Sequence, residues 1–313
     1  MRVAGTVLRG QHCGQVWSQA SDLLLAERDR KLLHLIVEIA EPGVEDPAFR
    51  AIVDELLARR GYDPVQTVVN TVFPAALAAS SSTPERLAQR YRSMYDRIKA
   101  ERKINRFGTY FGRLVAHPTQ KGPVDQLNRI INRLRMYGHN GNHVATAYEG
   151  AIDVPEPRTE ESEVPGTSDG LSSEEATDDL GACIFNAYTD SMPLGFPCLS
   201  HVSFQHTGNR LNAVALYRSQ YMVQRGYGNY LALGMLLRYI AEAAGFLPGT
   251  LTVITGQAEA EGAAGDLRAA LASTTQLPLF SPSAAATTVS RGRRPSPRPP
   301  NASGQLSLEA DSS

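Results

Sequence analysis

Residues 195–221 read GFPCLSHVSFQHTGNRLNAVALYRSQY, and this stretch sets the reading of the whole chain. Leu211 to Tyr217 is rich in apolar and β-branched residues and lies between Gly208-Asn209 and Arg218, the pattern of a strand. Pro197-Cys198 opens a second extended run upstream of it. If the two runs pair as antiparallel neighbours, the ends near Cys198 and Arg218 lie side by side. A thiol, a guanidinium and the Ser219 hydroxyl then share one small volume. A cation there favours the thiolate, the nucleophilic form of cysteine. Arginine and serine are also ordinary phosphate ligands, through a bidentate fork and a hydroxyl donor. The plainer alternative is a Cys198 packed as a small apolar group, with Arg218 at the surface.

The surrounding chain has 313 residues, 42% of them hydrophobic, and a net charge of −1. That is enough for one large domain or two ordinary ones, each with a core. The near-neutral balance gives no electrostatic argument for nucleic acid or a membrane surface as partner. The start, MRVAGTVLRGQHCGQVW, has no apolar run of the signal-peptide kind, and YLALGMLLRYIAEAAGFL is interrupted by Arg238 and Glu242. The expectation is a cytoplasmic protein with neither a membrane nor a nucleic-acid partner. Cys13, Cys183 and Cys198 are the three cysteines, widely and irregularly spaced, with no CxxC pair. Neither a disulfide framework nor a structural metal is expected.

Residues 1–150 read as mostly helical. The run VWSQASDLLLAERDRKLLHLIVEIAE has apolar residues at helical spacing, and PAFRAIVDELLARRG repeats the pattern up to Gly61. Asp63-Pro64 reads as a helix start. Thr83 is the expected N-cap of the next helix, with Pro84 at its first position. DQLNRIINRLRM places Leu127, Ile130, Ile131 and Leu134 on one helical face. Residues 155–180 are acidic and rich in Ser, Pro and Gly, a mobile surface insertion by composition. From about residue 281 the chain is low in complexity and reads as a disordered tail with a short basic run. The second half alternates: a strand at LNAVALY, an apolar helix ending on Gly245, and a strand at TLTVITG. The expected fold class is α+β: a mixed sheet flanked by helices, with one long apolar helix crossing its centre. One domain would span residues 1–280, followed by the tail.

The ordered set resembles the thymidylate synthase and pyrimidine hydroxymethylase family. Pro197-Cys198 is followed, at twenty positions from the cysteine, by Arg218-Ser219, then by Asn229 and a G-x-A run at Gly256. Upstream, GTYFGRLVAHPTQKGPVDQLNRIINRLR is similar to the family's tyrosine-containing segment and the helix after it. The resemblance implies a sheet of that family's kind. It also implies a C5 methyl- or hydroxymethyltransferase acting on a pyrimidine nucleoside monophosphate, with 5,10-methylenetetrahydrofolate as cofactor and a homodimer as the assembly. In the family, the cysteine adds to C6 of the ring, and C5 becomes the carbon nucleophile. Carried over, Cys198 is the nucleophile, with Arg218 its activator and a phosphate ligand. Ser219 is a second phosphate ligand, Tyr110 the tyrosine near the C5 proton, and Asn229 the reader of the base. A carboxamide accepts from N3–H and donates to O4, which suits uracil; a helix N-cap is the other reading of Asn229.

Several positions depart from the family. Tyr221 stands where an aspartate holds the folate pterin, and Leu199 where a histidine follows the cysteine. Glu259 and Glu261 occupy the places of the sugar-reading histidine and tyrosine. Residues 140–142, NGN, fall where paired arginines serve a partner's phosphate. Asn70 is the nearest match to the catalytic glutamate, and the tail does not match the family's closing segment. These departures lean from methyl toward hydroxymethyl transfer. They also define an alternative, a binding or regulatory protein that keeps the nucleotide pocket without the folate site. A further alternative is an interaction protein working through the acidic insertion and the basic tail.

Overall fold

The computed structural model describes residues 5–101, 105, 108–119, 122–138, 182–183, 197–262 and 264–277. The acidic stretch at 155–180, the NGN run at 140–142 and the tail from 281 lie outside the described residues. Six strands form one mixed sheet. They are β1 (Thr6–Gly10), β2 (Lys31–Ile39), β3 (Ala182–Cys183), β4 (Leu199–Thr207), β5 (Arg210–Tyr221) and β6 (Leu247–Glu259), in the spatial order β1-β2-β6-β5-β4-β3. The β1–β2 and β5–β6 pairs are parallel and the others antiparallel.

The helices are α1 (Cys13–Ala26), α2 (Pro47–Arg59), α3 (Val65–Val72), α4 (Ala75–Ala79), α5 (Pro84–Glu101), α6 (Tyr110–Val115), α7 (Gln126–Tyr137), α8 (Tyr227–Ala244) and α9 (Ala264–Thr274). Thr83 caps α5 as expected, accepting the Arg86 amide at 3.2 Å. Leu127, Ile130, Ile131 and Leu134 of α7 are buried. Helix α3 starts directly after Asp63-Pro64, as expected, with Pro64 at its cap and Asp54 of α2 taking the Val65 amide at 2.8 Å.

The largest correction concerns residues 16–41. Helical spacing predicts one long helix there, whereas the chain ends α1 at Ala26 and enters β2, an interior strand. The cause is local. His34 has φ +55 and a side chain exposed out of line with its neighbours, so the buried positions of β2 run Leu32, Leu35, Val37, Ile39. A three-residue step inside a strand imitates the spacing of a helix.

Buried positions otherwise alternate. Val37, Ile39, Leu251, Val253, Leu211, Ala213 and Ala215 face the helices, each worth about 1.5–3 kcal/mol when it is a large aliphatic. The intervening Ile36, Thr252, Ile254, Val214 and Leu216 are half-exposed, and Val7 is exposed. This second face has no described helix over it. The expected long apolar helix through the centre of the sheet is not found in that form. Helix α8 lies on one face, against β6, β5, α3 and α7, and keeps a polar outer edge at Arg238 and Glu242. It ends on Gly245 in the left-handed region. No described helix is long and apolar enough to cross a membrane.

The sheet is kinked along a line. The β2–β6 register passes from Leu33↔Gln257 to Leu35↔Thr255, and the β5–β6 register from Tyr217↔Thr255 to Ser219↔Gln257. His34, Gly256 and Arg218 are thus skipped side by side. In β4 the register shifts between Leu199 and His201 at the same level, and the intervening Ser200 donates its hydroxyl to the Leu216 carbonyl at 2.9 Å. Aligned bulges increase the local twist and turn the strand ends aside. At the kink the backbones crowd, and a Cβ on Gly256 would sit 2.6 Å from the Arg218 carbonyl oxygen. Gly256→Ala is therefore expected to lower stability by about 1–3 kcal/mol. Thermal denaturation will read this as a reduced Tm, and an unchanged Tm would show that the kink does not need the close approach.

Candidate functional site

The kinked ends of β4 and β5 bring Cys198 and Arg218 together. The Arg218 amide donates to the Cys198 carbonyl at 2.9 Å. The Arg218 guanidinium donates through Nε and Nη2 to the Pro197 carbonyl at 3.4 and 3.3 Å. Cys198 is half-buried and packs against the edge of the core. The antiparallel neighbours expected from the sequence are present, and the contact between them runs through the backbone, with the guanidinium on the Pro197 carbonyl.

Tyr110 reaches the same place from the helices. Thr109 caps α6 by accepting the Gly112 amide at 3.1 Å. Its hydroxyl also bonds Tyr91 of α5 at 2.6 Å, and its amide donates to the Tyr95 hydroxyl at 3.2 Å. So anchored, Thr109 delivers Tyr110 to the strand ends, where its hydroxyl lies near the backbone N–H groups of Leu199 and Cys198. Burial pushes the Tyr110 pKa up to about 12. The neighbouring Cys198 adds to the rise and Arg225 works against it. Tyr110 is a neutral phenol at any ordinary pH.

Arg225 arrives on the turn between β5 and α8. This turn, Met222–Gly226, is π-helical, a form that carries one residue more than an α-turn and is uncommon outside functional sites. Its first three residues are held in place. The Glu261 carboxylate accepts the Val223 and Gln224 amides at 3.0 and 3.1 Å, and the Trp17 indole donates to the Met222 carbonyl at 2.7 Å. Trp17 is itself packed edge-on against Phe49 and Tyr227. Burial raises the Glu261 pKa, and the amide bonds work in the opposite direction.

Beneath the thiol lies Tyr217, 0% exposed, its ring edge-on to Tyr110 with centroids 6.4 Å apart. Burial drives its pKa well above the ordinary phenol value, with Tyr110, Cys198 and Tyr230 adding to the rise. Further in, the Gln220 side-chain oxygen Oε1 accepts from the Tyr230 and Thr255 hydroxyls, each at 3.2 Å. Buried polar atoms are nearly always partnered. Among the described residues, Tyr217 Oη, Gln220 Nε2 and Asn229 Oδ1 have no hydrogen-bond partner. Asn229 is only 3% exposed and sits in the first turn of α8, whose cap is Gly226, so it is not the N-cap that one reading of the sequence expected.

Cys198, Arg218 and Tyr110 are thus brought together, and Asn229 and Ser219 lie on the elements that adjoin them. Ser219 is half-buried beside Gln257. The remaining expected residues have other contacts. Asn70 is exposed on α3 and accepts from Gln66 at 2.9 Å. Glu259 pairs with Lys31 at 3.2 Å, while Glu261 caps the turn. Tyr221 is 46% exposed at the end of β5. Sequence reasoning missed Tyr217 and Arg225. Tyr217 was hidden as the last residue of an apolar strand. Arg225 carries no pattern signal, because only the extra residue of the π-turn aims it at the site.

No protein-family model and no curated protein matches the chain. No described group of acidic, histidine or cysteine side chains could hold a metal ion. The two described thiols differ sharply. Cys13 is 1% exposed, bonds the Pro42 carbonyl at 3.4 Å, and burial pushes its pKa far up, whereas Cys198 is half-buried at the rim. Iodoacetamide on the native protein is therefore expected to alkylate Cys198 and spare Cys13. Peptide mass mapping checks this, and equal labelling of both would contradict the assigned exposures.

Proposed function

We propose that this chain is a diverged enzyme of the thymidylate synthase and nucleotide hydroxymethylase kind. It transfers a one-carbon unit to C5 of a uracil nucleotide through a covalent bond between Cys198 and C6. The observation that carries this reading is the convergence of Cys198, Arg218 and Tyr110 at the kinked ends of β4 and β5, with Asn229, whose buried carboxamide oxygen has no partner among the described residues, in the first turn of the helix that follows β5. The Cys198 sulfur adds to C6, and C5 gains the electron density that attacks the one-carbon unit. Asn229 Oδ1 suits the N3–H of uracil. Arg218 and Ser219 suit the nucleotide phosphate.

Resemblance implies 5,10-methylenetetrahydrofolate as the one-carbon donor. The described residues do not fit that group well. At the position of the pterin-holding carboxylate stands the neutral, exposed Tyr221, and the nearby carboxylates Glu259 and Glu261 are bonded to Lys31 and to the turn amides. No step is therefore derived through folate, and the choice between methyl and hydroxymethyl product stays with the identity of the donor.

The same observation favours a second reading, a binding or regulatory protein that keeps the nucleotide pocket without turnover. Incubation with 5-fluoro-dUMP, with and without methylenetetrahydrofolate, separates the two. A covalent adduct is expected by mass spectrometry and should vanish in Cys198→Ala. Calorimetric binding of a pyrimidine monophosphate without adduct or turnover would favour the second reading, and no binding at all would reject both.

The half-exposed sheet face bearing Ile36, Val214, Leu216 and Ile254 suits a homodimer, in which two copies bury it against each other. Light scattering after gel filtration is expected to give twice the chain mass, and Val214→Arg should return the monomer. A monomeric wild type at tens of micromolar would end this proposal.

A further inference from the structure

A fully buried hydroxyl without a partner costs about 1–3 kcal/mol, so a fold rarely keeps one without use for it. Tyr217 keeps one. It stands on β5 directly across from Leu199, the residue after Cys198, with its Oη buried and unbonded among the described residues. Arg225 meets the same group from the π-turn. It is half-buried, and it acts electrostatically on the hydroxyls of both Tyr110 and Tyr217. Among the described residues it has no hydrogen bond or ion pair. A donor lacking an acceptor and a guanidinium lacking an anion, gathered around one nucleophilic sulfur, form a receptor for negative charge on oxygen.

We infer that the Tyr217 hydroxyl and the Arg225 guanidinium are an oxyanion site, binding the ring carbonyl oxygen on which charge collects when Cys198 adds to a pyrimidine. This rests on the reading that a pyrimidine nucleotide is the substrate, and it adds two catalytic residues that the resemblance does not supply. In the step, the thiol proton leaves to solvent and the sulfur forms a bond to C6. The C5=C6 electron pair becomes the C4=C5 bond of an enolate, and the C4=O4 pair moves onto O4. Tyr217 and Arg225 donate to that O4. Protonation of C5 by water and later loss of a proton from the same carbon let the sulfur depart and restore the ring. No oxidant, reductant or second substrate is consumed. Tyr217 is suited to the role because burial keeps its phenol protonated at neutral pH.

The test is release of deuterium from 5-deuterated UMP and dUMP into water, followed by mass spectrometry on the full-length protein without added folate. Wild type is expected to exchange. Tyr217→Phe should slow exchange about 10²-fold, the loss typical of one oxyanion donor, while its Tm stays equal or rises because the removed hydroxyl bonds nothing. Arg225→Gln should slow exchange to a similar degree, with Arg225→Lys retaining part of the rate. If wild type exchanges and both Tyr217→Phe and Arg225→Gln match it, the oxyanion site is wrong and the nucleotide reading stands. A markedly lower Tm in Tyr217→Phe would make the hydroxyl structural and overturn the inference. If wild type exchanges neither nucleotide although it binds them, the covalent reading of the site falls, and the oxyanion site with it.

Discussion

The bond from the Arg218 amide to the Cys198 carbonyl closes the β4–β5 ladder where the sheet bends. A backbone bond of this kind contributes about 1 kcal/mol net, which is small against the burial of the strands around it. Its importance is positional. It fixes which residue stands opposite Cys198, and a slip of one place would swap every side chain on that strand end to the other face. Tyr217 would then leave the interior, and Arg218 would enter it without its Pro197 acceptor. The thiol, the two tyrosines and the guanidinium of the turn hold their mutual positions only in this register.

Much of the scaffold could be read from the residues. The strand at 211–217, its antiparallel partner, the capped helix after Thr83 and the amphipathic helix at 126–137 all follow from period, caps and turn residues. What could not be read was anything governed by the kink. His34 breaks the two-residue alternation of β2 and leaves a spacing that passes for helix. The same logic hid the site. Cys198 and Arg218 were legible from chemistry and spacing, because each is a conspicuous residue near an expected strand end, and Tyr110 was legible only through the resemblance. Arg225 was not, since its direction depends on one extra residue in a turn whose form is set from afar, by Trp17 and Glu261. Glu259 and Glu261 were read without their partners for a related reason. A carboxylate in sequence is an open acceptor, but in the fold both have taken partners nearer to hand.

Most of the stability comes from burial: aliphatic residues of β2, β5 and β6 are sealed under α1 and α8. Set against it, buried polar atoms lack partners among the described residues both at Tyr217, Gln220 and Asn229 and on α1 itself, at Ser18 and Ser21. A fold that tolerates such unsatisfied groups needs the surplus that its packed core supplies.

The aligned bulges carry a consequence for how this chain can vary. Adding or deleting one residue in a single strand normally costs only a local bulge. Here His34, Gly256 and Arg218 lie abreast, and each strand's irregularity accommodates that of its neighbour. A length change in one of them would leave the other two out of step, so these strands can lengthen or shorten only in concert. Drift in this region is thereby channelled into exchange of side chains, leaving residue number untouched, which lets a chain wander far in composition while its strand ends stay in phase.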